Sequence, residues 1–364
     1  MKILALVAID PDFWRRRRVL VTGHTGFKGA WLSLWLQSLG AEVTGLARGV
    51  PTRPSLFELA GVGAQMRHLA VDVRDGQGMR AALAQARPEV VLHLAAQPMV
   101  RRSLLDPVTT YEVNVMGTVN LLEAVRQLGR DVLAVLVVTS DKCYENPSGG
   151  SRRFVEGDAL GGADPYSSSK ACAELAAGAY RRSFFSGEHT PRLASARAGN
   201  VIGGGDWGED RLVPDAVRAV ETGAPLLVRN PHAVRPWQHV LSPLGGYLQL
   251  AQALARDEQR PAADAQAQGV WNFGPAEADA RPVSWIVQRL AELWEGELEW
   301  RLDGAGNPPE ADHLALDSSA AERSLDWSPV WPLSEALELV VEWHRAHRRG
   351  EDMRGVTLAQ IAKL

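Results

Sequence analysis

Short apolar runs alternate with amphipathic stretches along the first half of the chain. The runs are rich in β-branched residues and too short for helices, so they predict buried strands. Behind several of them, apolar residues recur every three or four positions, which predicts helices. This alternation indicates a parallel sheet covered by helices on both faces, with right-handed crossovers. The first predicted strand begins at Val19, and the others cover 42–47, 68–73, 89–97 and 132–140. The predicted helices cover 31–39, 114–128 and 164–185.

A glycine-rich turn joins the first predicted strand to the first predicted helix. Gly23, Gly26 and Gly29 follow the strand at three-residue spacing. Glycine lets the backbone approach a pyrophosphate closely, and the free N–H groups at a helix start face the anion. The order of strand, glycine turn and helix predicts a dinucleotide site. An ordinary βα turn is the alternative, because the spacing is G-x-x-G-x-x-G and not the commoner G-x-G-x-x-G.

The regular alternation fades beyond residue 197. Segments 203–207 and 234–240 predict loops around short elements, and the polar, alanine-rich segment 255–268 predicts a surface linker. Two later segments are amphipathic, 290–300 and 333–348. The second half therefore predicts a smaller lobe beside the sheet.

The predicted architecture is a Rossmann-type, doubly wound α/β fold with a smaller C-terminal substrate-binding lobe. The nucleotide-binding domain covers 10–197 with a return segment near 238–258. The lobe covers 198–237 and 259–350. It would form a cleft against the carboxyl ends of the strands, where ligands of such folds bind.

Composition excludes several classes of function. Charged residues make up 23% of the 364 residues and the net charge is −4, so no basic surface indicates nucleic-acid binding. No apolar run approaches the roughly 18 residues of a membrane span. The two cysteines, Cys143 and Cys172, form neither a C-x-x-C pair nor a disulfide framework, and no metal-ligand motif is present. We expect a cytoplasmic protein without a metal site.

Two positions bear on the adenosine end of a dinucleotide. The second strand ends at Ala47-Arg48, where an acidic residue would hydrogen-bond the ribose of NAD and an arginine would accept the phosphate of NADP. The local pattern thus favours NADP, unless Arg48 faces solvent or stacks on adenine. Asp72, at the end of the third strand, is a candidate for the adenine amino group. His93, inside an apolar strand, is predicted to be a core histidine.

A tyrosine and a lysine near the middle of the chain carry candidate acid–base chemistry. Tyr166 and Lys170 are four residues apart and share one helix face. An ammonium beside a tyrosine lowers the pKa of the phenol from about 10, so the tyrosine can accept a proton from an alcohol. Ser140, at the end of the preceding strand, can hydrogen-bond the same alcohol.

These motifs together resemble the extended short-chain dehydrogenase/reductase family, in its sugar-nucleotide-modifying branch, over nearly the whole chain. The matching stretches are 21–29, 95–98, 139–146, 164–170, 197–207, 235–239 and 271–274. The resemblance is greatest to the 4,6-dehydratases of nucleotide-linked glucose. It implies NAD as the cofactor, against the local indication at Arg48.

The resemblance also implies which residues contact the cofactor. They are Gly23, Thr25, Gly26, Phe27, Lys28, Gly29, Arg48, Asp72, Val73, Leu94, Ala95, Ala96, Gln97, Thr139, Tyr166 and Lys170.

The implied reaction is an internal redox dehydration of the hexose. Tyr166 removes the 4-hydroxyl proton while C4 gives hydride to the nicotinamide. The resulting ketone acidifies C5, water leaves across C5 and C6, and the hydride returns to C6. Asp141 matches the acid. Lys142 stands where dTDP-glucose dehydratases carry a glutamate base, and would act as that base or only orient the substrate.

The family further implies residues that hold the nucleotide sugar. Asn200 matches a contact to the diphosphate, and Arg235 suits the same anion through its planar fork. Arg211, Trp237 and Gln238 are candidates for phosphate or nucleobase, with surface or packing roles open for Arg211 and Trp237. Arg101 is a candidate for the sugar.

Partners and alternatives follow from the same comparison. The resemblance implies a dimer joined through the helices beginning near Asn114 and Ser167, or a tetramer built from two such dimers.

Within enzymes the alternatives are an epimerase or a reductase, against which Asp141 and Lys142 argue. A non-catalytic nucleotide sensor would be expected to lack Tyr166, Lys170 or Asp141.

Overall fold

A seven-stranded parallel sheet forms the centre of the molecule. A computed structural model describes residues 9–146, 152–257, 267–304 and 313–364. In order across the sheet, the strands are β10 (Gly269–Phe273), β6 (Arg192–Ala198), β5 (Ala134–Val138), β4 (Val90–His93), β1 (Arg18–Thr22), β2 (Glu42–Leu46) and β3 (Arg67–Leu69). The strand order reverses between β1 and β4, which places a ligand crevice at their carboxyl ends. The predicted fold class is confirmed.

Helices cover both faces of this sheet and surround the lobe. Within the described residues they are α1 (Pro11–Trp14), α2 (Phe27–Ser38), α3 (Leu56–Leu59), α4 (Gly76–Ala86), α5 (Val100–Leu105), α6 (Pro107–Tyr111), α7 (Gly117–Leu128), α8 (Pro165–Ser183), α9 (Leu212–Thr222), α10 (Leu241–Asp257), α11 (Val283–Leu293), α12 (Ser319–Leu325), α13 (Leu333–Arg348) and α14 (Met353–Ile361). None of these helices combines the length and apolar character that crossing a bilayer requires.

Alternate residues of each strand enter two separate cores. Val19 and Val21 pack on the face that α2 and α10 cover, whereas Leu20 packs on the face that α4, α7 and α8 cover. Successive strand side chains point to opposite faces, so a strand buried on both sides is apolar throughout. This explains why β5 is fully buried along its length.

The lobe is built from short strands around a third core. β7 (Asn200–Ile202), β9 (Val234–His239) and β11 (Ala280–Pro282) form one sheet, and β8 (Leu226–Val228) pairs with β12 (Trp300–Leu302). Val213 of α9, Leu290 of α11 and Leu337 of α13 pack together against them. Because β7 follows β6 and β9 leads into α10, this lobe adjoins the carboxyl ends of the central strands.

Several predicted boundaries differ from the observed ones. The third strand ends at Leu69, four residues before the predicted end. Segment 234–239 is a strand and not a loop. The amphipathic segment 290–300 is divided, because α11 ends at Leu293 and Gly296 turns the chain with φ of +90° before β12.

The domain boundary at residue 259 also differs from the structure. β10 pairs with β6 along five residues, so the central sheet takes back a strand beyond the predicted return segment. Asn272 interrupts the apolar residues of this short strand, which hides it in the sequence. Of the predicted linker 255–268, residues 255–257 end a buried helix and 258–266 lie outside the described residues.

Candidate active site

The glycine turn after β1 lies directly against the segment that follows β4. Gly23 has φ of +72°, and a Cβ there would lie 2.8 Å from the Ala95 backbone. A Cβ on Gly29 would lie 2.1 Å from the Gly23 carbonyl oxygen. Gly26 caps the start of α2 without a side chain. The turn therefore forms a backbone cradle that side chains would fill, as a dinucleotide diphosphate requires.

Other predicted cofactor residues lie in the glycine turn, at the start of α2 and after neighbouring strands. Leu94, Ala95 and Ala96 follow β4 and are half-buried. Thr25 lies in the glycine turn, where its hydroxyl donates to the Gly49 carbonyl at 2.7 Å. Phe27 and Lys28 occupy the first turn of α2. Val73 is buried in the loop between β3 and α4.

Two predicted cofactor side chains already have partners within the chain. Both carboxylate oxygens of Asp72 accept bonds from Arg74, at 3.1 and 2.8 Å, and this pairing lowers the pKa of Asp72. The Gln97 amide donates to the Met99 carbonyl at 3.0 Å and to Thr110 at 3.0 Å. Gln97 thereby shapes the loop before α5. Arg48 is exposed and makes no hydrogen bond within the described residues.

His93 is a core histidine, as the sequence predicts. Its ring nitrogens lie 2.7 Å from the Thr22 hydroxyl and 3.2 Å from that of Thr118. Burial lowers the pKa of His93 to about 3, so the ring is neutral. The Thr22 hydroxyl also accepts the Ala95 N–H at 3.1 Å, so it holds the segment that follows β4 in place.

The segment after β5 brings three predicted catalytic residues together. Ser140 donates to Asp141 Oδ1 at 3.0 Å and accepts the Lys142 N–H at 3.2 Å. Asp141 is 2% exposed, and its Oδ2 has no hydrogen-bond partner among the described residues. Burial raises the pKa of Asp141, while the charges of Lys142, Arg235 and Lys28 oppose that rise. A buried carboxyl group with a free oxygen is well placed to hold a proton.

Tyr166 and Lys170 project from the first turns of α8 towards this segment. Asp164 caps the helix by accepting the Ser167 N–H at 3.0 Å. Burial raises the pKa of Tyr166 to about 12, although the Ser140 hydroxyl and the charge of Arg211 lower it. Lys170 Nζ donates to the Val138 carbonyl at 3.4 Å, and burial lowers the pKa of Lys170 to about 8.

The direction of the Tyr166 pKa is opposite to the one predicted from the spacing alone. The prediction treated the phenol as a solvated group beside an ammonium. In the structure, the loss of water raises the free energy of the phenolate by more than the nearby positive charge and hydrogen bond lower it. To act as a base near neutral pH, Tyr166 would therefore need additional positive charge in the crevice.

Two of the predicted substrate arginines reach this site. Arg211 pairs with Asp206 at 3.0 Å, and its charge acts on both Tyr166 and Lys28. Arg235 is buried, and its charge lowers the pKa of Asp141. Asn200 begins β7, which pairs with β9, the strand of Arg235, and Asn200 is half-buried. Burial lowers the pKa of Lys28 to about 8, and the charge of Arg211 acts in the same direction.

The other predicted substrate residues are engaged elsewhere. Trp237 packs in the lobe core and donates its indole N–H to the Arg281 carbonyl at 3.2 Å, which favours the packing alternative. Gln238 is buried and donates to the Phe273 carbonyl at 2.7 Å. Arg101 pairs with Asp210 at 3.0 Å and is 43% exposed, so it lies at the rim of the cleft.

Sequence reasoning missed a buried carboxylate behind segment 139–144, called the catalytic segment below because it carries Ser140, Asp141 and Lys142. Glu174 accepts the Thr139 hydroxyl and pairs with Arg197 at 3.0 Å. Its position four residues beyond Lys170 extends the helix face of Tyr166 and Lys170, and this spacing is the signal that was available.

Comparison of the sequence with known proteins shows the family of the chain. A family model described as GDP-mannose 4,6 dehydratase matches residues 20–340. The CDP-glucose 4,6-dehydratase of Salmonella typhimurium is 50% identical over 353 residues, 95% of each chain. The dTDP-glucose 4,6-dehydratase of Streptomyces griseus is 28% identical and covers 91% of this chain and 94% of its own.

Solved structures show the same architecture. The UDP-glucose 4-epimerase of Thermus thermophilus, in complex with NAD, superposes with a TM-score of 0.75 at 26% identity, over 90% of this chain and 99% of that one. The dTDP-glucose 4,6-dehydratase DesIV of Streptomyces venezuelae superposes with a TM-score of 0.75 at 22% identity, over 93% and 99%. This chain therefore belongs to the GDP-mannose 4,6 dehydratase family of extended short-chain dehydrogenases/reductases.

Proposed function

We propose that this chain is a CDP-glucose 4,6-dehydratase, which converts CDP-D-glucose to CDP-4-keto-6-deoxy-D-glucose by internal redox and loss of water. The observation that carries the proposal is the 50% identity to the Salmonella enzyme along 95% of both chains. The cluster of Ser140, Asp141 and Tyr166 at the strand ends provides the groups that such a reaction needs.

NAD is the cofactor of the proposed reaction. The backbone cradle at Gly23 and Gly29 fits its diphosphate, and the small residues after β4 leave room beside the strand ends. When bound there, NAD would supply the hydride acceptor for C4 of the hexose and the hydride donor for C6. Arg48 is exposed, so it does not by itself require the extra phosphate of NADP.

The chain's own residues divide the proton transfers. Tyr166 accepts the proton of the 4-hydroxyl, and Ser140 hydrogen-bonds that oxygen. Asp141 gives a proton to the departing 6-hydroxyl, because its buried carboxyl holds a proton more readily than an exposed one. Lys142 takes the C5 proton or orients the sugar, and its half-buried position beside Asp141 supports either role.

Cationic side chains hold the nucleotide diphosphate. The charges of Arg235 and Arg211 act on Asp141 and Tyr166, respectively, so the diphosphate would approach the reacting sugar from the lobe side. Asn200 adds a neutral donor at the start of β7. Arg101 would contact the sugar or the nucleotide from the rim only after releasing Asp210.

We further propose a homodimer formed through α7 and α8, or a homotetramer built from two such dimers. Apolar side chains stand exposed on and beside these helices. They are Leu105 at 86%, Val108 at 67%, Met116 at 50% and Leu175 at 61%. An apolar surface of this kind is typical of subunit contacts.

A panel of sugar nucleotides tests the proposed function. We expect CDP-glucose to yield a product lighter by one water, with the cofactor oxidised at the end. The dTDP-, GDP- and UDP-hexoses should react at least about tenfold more slowly, which corresponds to a modest difference in binding free energy. Mass spectrometry of the products measures both. Isomerised sugar without loss of water would establish an epimerase instead, and preference for another nucleotide would overturn the assigned substrate.

A further inference from the structure

A buried ion pair lies directly behind the catalytic segment. The Glu174 and Arg197 side chains are 1% and 2% exposed. Arg197 Nε donates to Oε1 at 3.0 Å and Nη2 donates to Oε2 at 3.1 Å. This two-bond arrangement fixes both side chains in one geometry. Neither residue belongs to the acid–base or anion-binding groups assigned above.

The pair contacts both ends of segment 139–144. At the first end, the Thr139 hydroxyl donates to Glu174 Oε1. At the second end, the Arg197 guanidinium lies 4.6 Å above the Tyr144 ring, whose hydroxyl donates to Asn272 at 2.8 Å. Ser140, Asp141 and Lys142 lie between these two anchors. The direction in which they project therefore depends on the pair.

The same carboxylate acts on the other side of the site. Glu174 follows Tyr166 and Lys170 at four-residue intervals on α8, so all three share one helix face. Its negative charge favours the charged form of Lys170 against the effect of burial. The other groups whose charges couple to Lys170 are Cys143 on the catalytic segment, Lys28 on α2 and His93 on β4.

We propose that Glu174 is a positioning residue for catalysis, which fixes the catalytic segment through Thr139 and Arg197 and shares the helix face of Lys170. The proposal rests on the dehydratase function proposed above. It goes beyond that function, because it assigns part of the catalytic rate to a carboxylate that touches neither substrate nor cofactor.

A purely structural role would have a different signature. A buried ion pair often contributes little to stability compared with apolar residues of similar volume. Removing both charges together should then restore a stable protein, whereas removing one leaves its partner buried and unpaired. The catalytic rate distinguishes the two roles, because a displacement of the reacting groups by about 1 Å can lower that rate about 10²-fold.

The test is the Glu174→Gln variant, assayed with CDP-glucose. Glutamine keeps the shape and an acceptor for Thr139 but removes the charge. We expect kcat to fall about 10²-fold with KM nearly unchanged, since the affected groups act in the transition state. The alkaline fall in kcat should also move to lower pH, because Lys170 loses its proton more easily without Glu174. Bound cofactor and the melting temperature are measured alongside.

Two further variants keep the test decisive. Ser195→Ala removes a 2.6 Å bond to the same Glu174 carboxylate from β6 without touching the catalytic segment, and should retain wild-type kcat and pH dependence. Glu174→Gln/Arg197→Met removes both charges, and should regain stability but not rate. A double variant with wild-type kcat, or a single variant with unchanged kcat and pH profile, would overturn the proposal. Failure of the wild-type enzyme on CDP-glucose would overturn the proposed function instead.

Discussion

The Tyr166→Phe variant should lose turnover by about 10³-fold while the protein still retains its dinucleotide. Phenylalanine keeps the ring that fills the buried space at the start of α8 but has no hydroxyl to accept the 4-hydroxyl proton. Since burial raises the pKa of Tyr166 to about 12, the phenol depends on the charges around it to become a base at neutral pH. Steady-state assays and release of the bound nucleotide by denaturation measure the two properties.

Tyr180→Phe is the matched control for this prediction. Tyr180 lies on the same helix, and its hydroxyl donates to Glu123 at 3.4 Å away from the site. We expect that variant to turn over at the wild-type rate. A Tyr166→Phe enzyme with near-wild-type activity would remove the tyrosine from the proposed role, and loss of the nucleotide would show that the substitution acts on binding.

The Asp141→Asn variant should slow the overall reaction by about 10²-fold, chiefly at the loss of water. Asparagine fits the same buried space but cannot give a proton to the 6-hydroxyl. Oxidation at C4 does not use this carboxyl group, so the nicotinamide should become reduced in a single turnover and remain reduced. Absorbance of the reduced nicotinamide during one turnover measures this directly.

An exposed aspartate provides the control for Asp141. Asp131 pairs with Arg87 at 3.0 Å on the surface, and Asp131→Asn should leave every step unchanged. If Asp141→Asn fails to reduce the nicotinamide at all, the carboxyl group acts in the first oxidation and the assignment as acid is wrong.

Most of the fold could be predicted from the sequence, because a strand that is buried on both faces is apolar throughout. β1, β4 and β5 were predictable for this reason. β10 was not, since the polar Asn272 interrupts its apolar residues: the Asn272 amide donates to the carbonyls of Phe154 and Asp317. Such long-range contacts leave no periodic signal in the sequence.

The candidate site was predictable where chemistry depends on order along the chain. The glycine turn, the segment 139–142 and the Tyr166–Lys170 face are local patterns. Trp237 and Gln238 show the opposite case, because their roles depend on which carbonyl the fold places beside them. The pKa of Tyr166 could not be predicted either, since its direction depends on burial, which spacing does not reveal.

Isotope transfer tests the central claim most directly. CDP-glucose carrying deuterium at C4 should give a keto-deoxy product with deuterium at C6, and a mixture with unlabelled substrate should yield no crossover. That result follows if the hydride leaves and returns within one site built from Tyr166, Asp141 and the glycine cradle. Deuterium lost to solvent, or shared between substrate molecules, would contradict it.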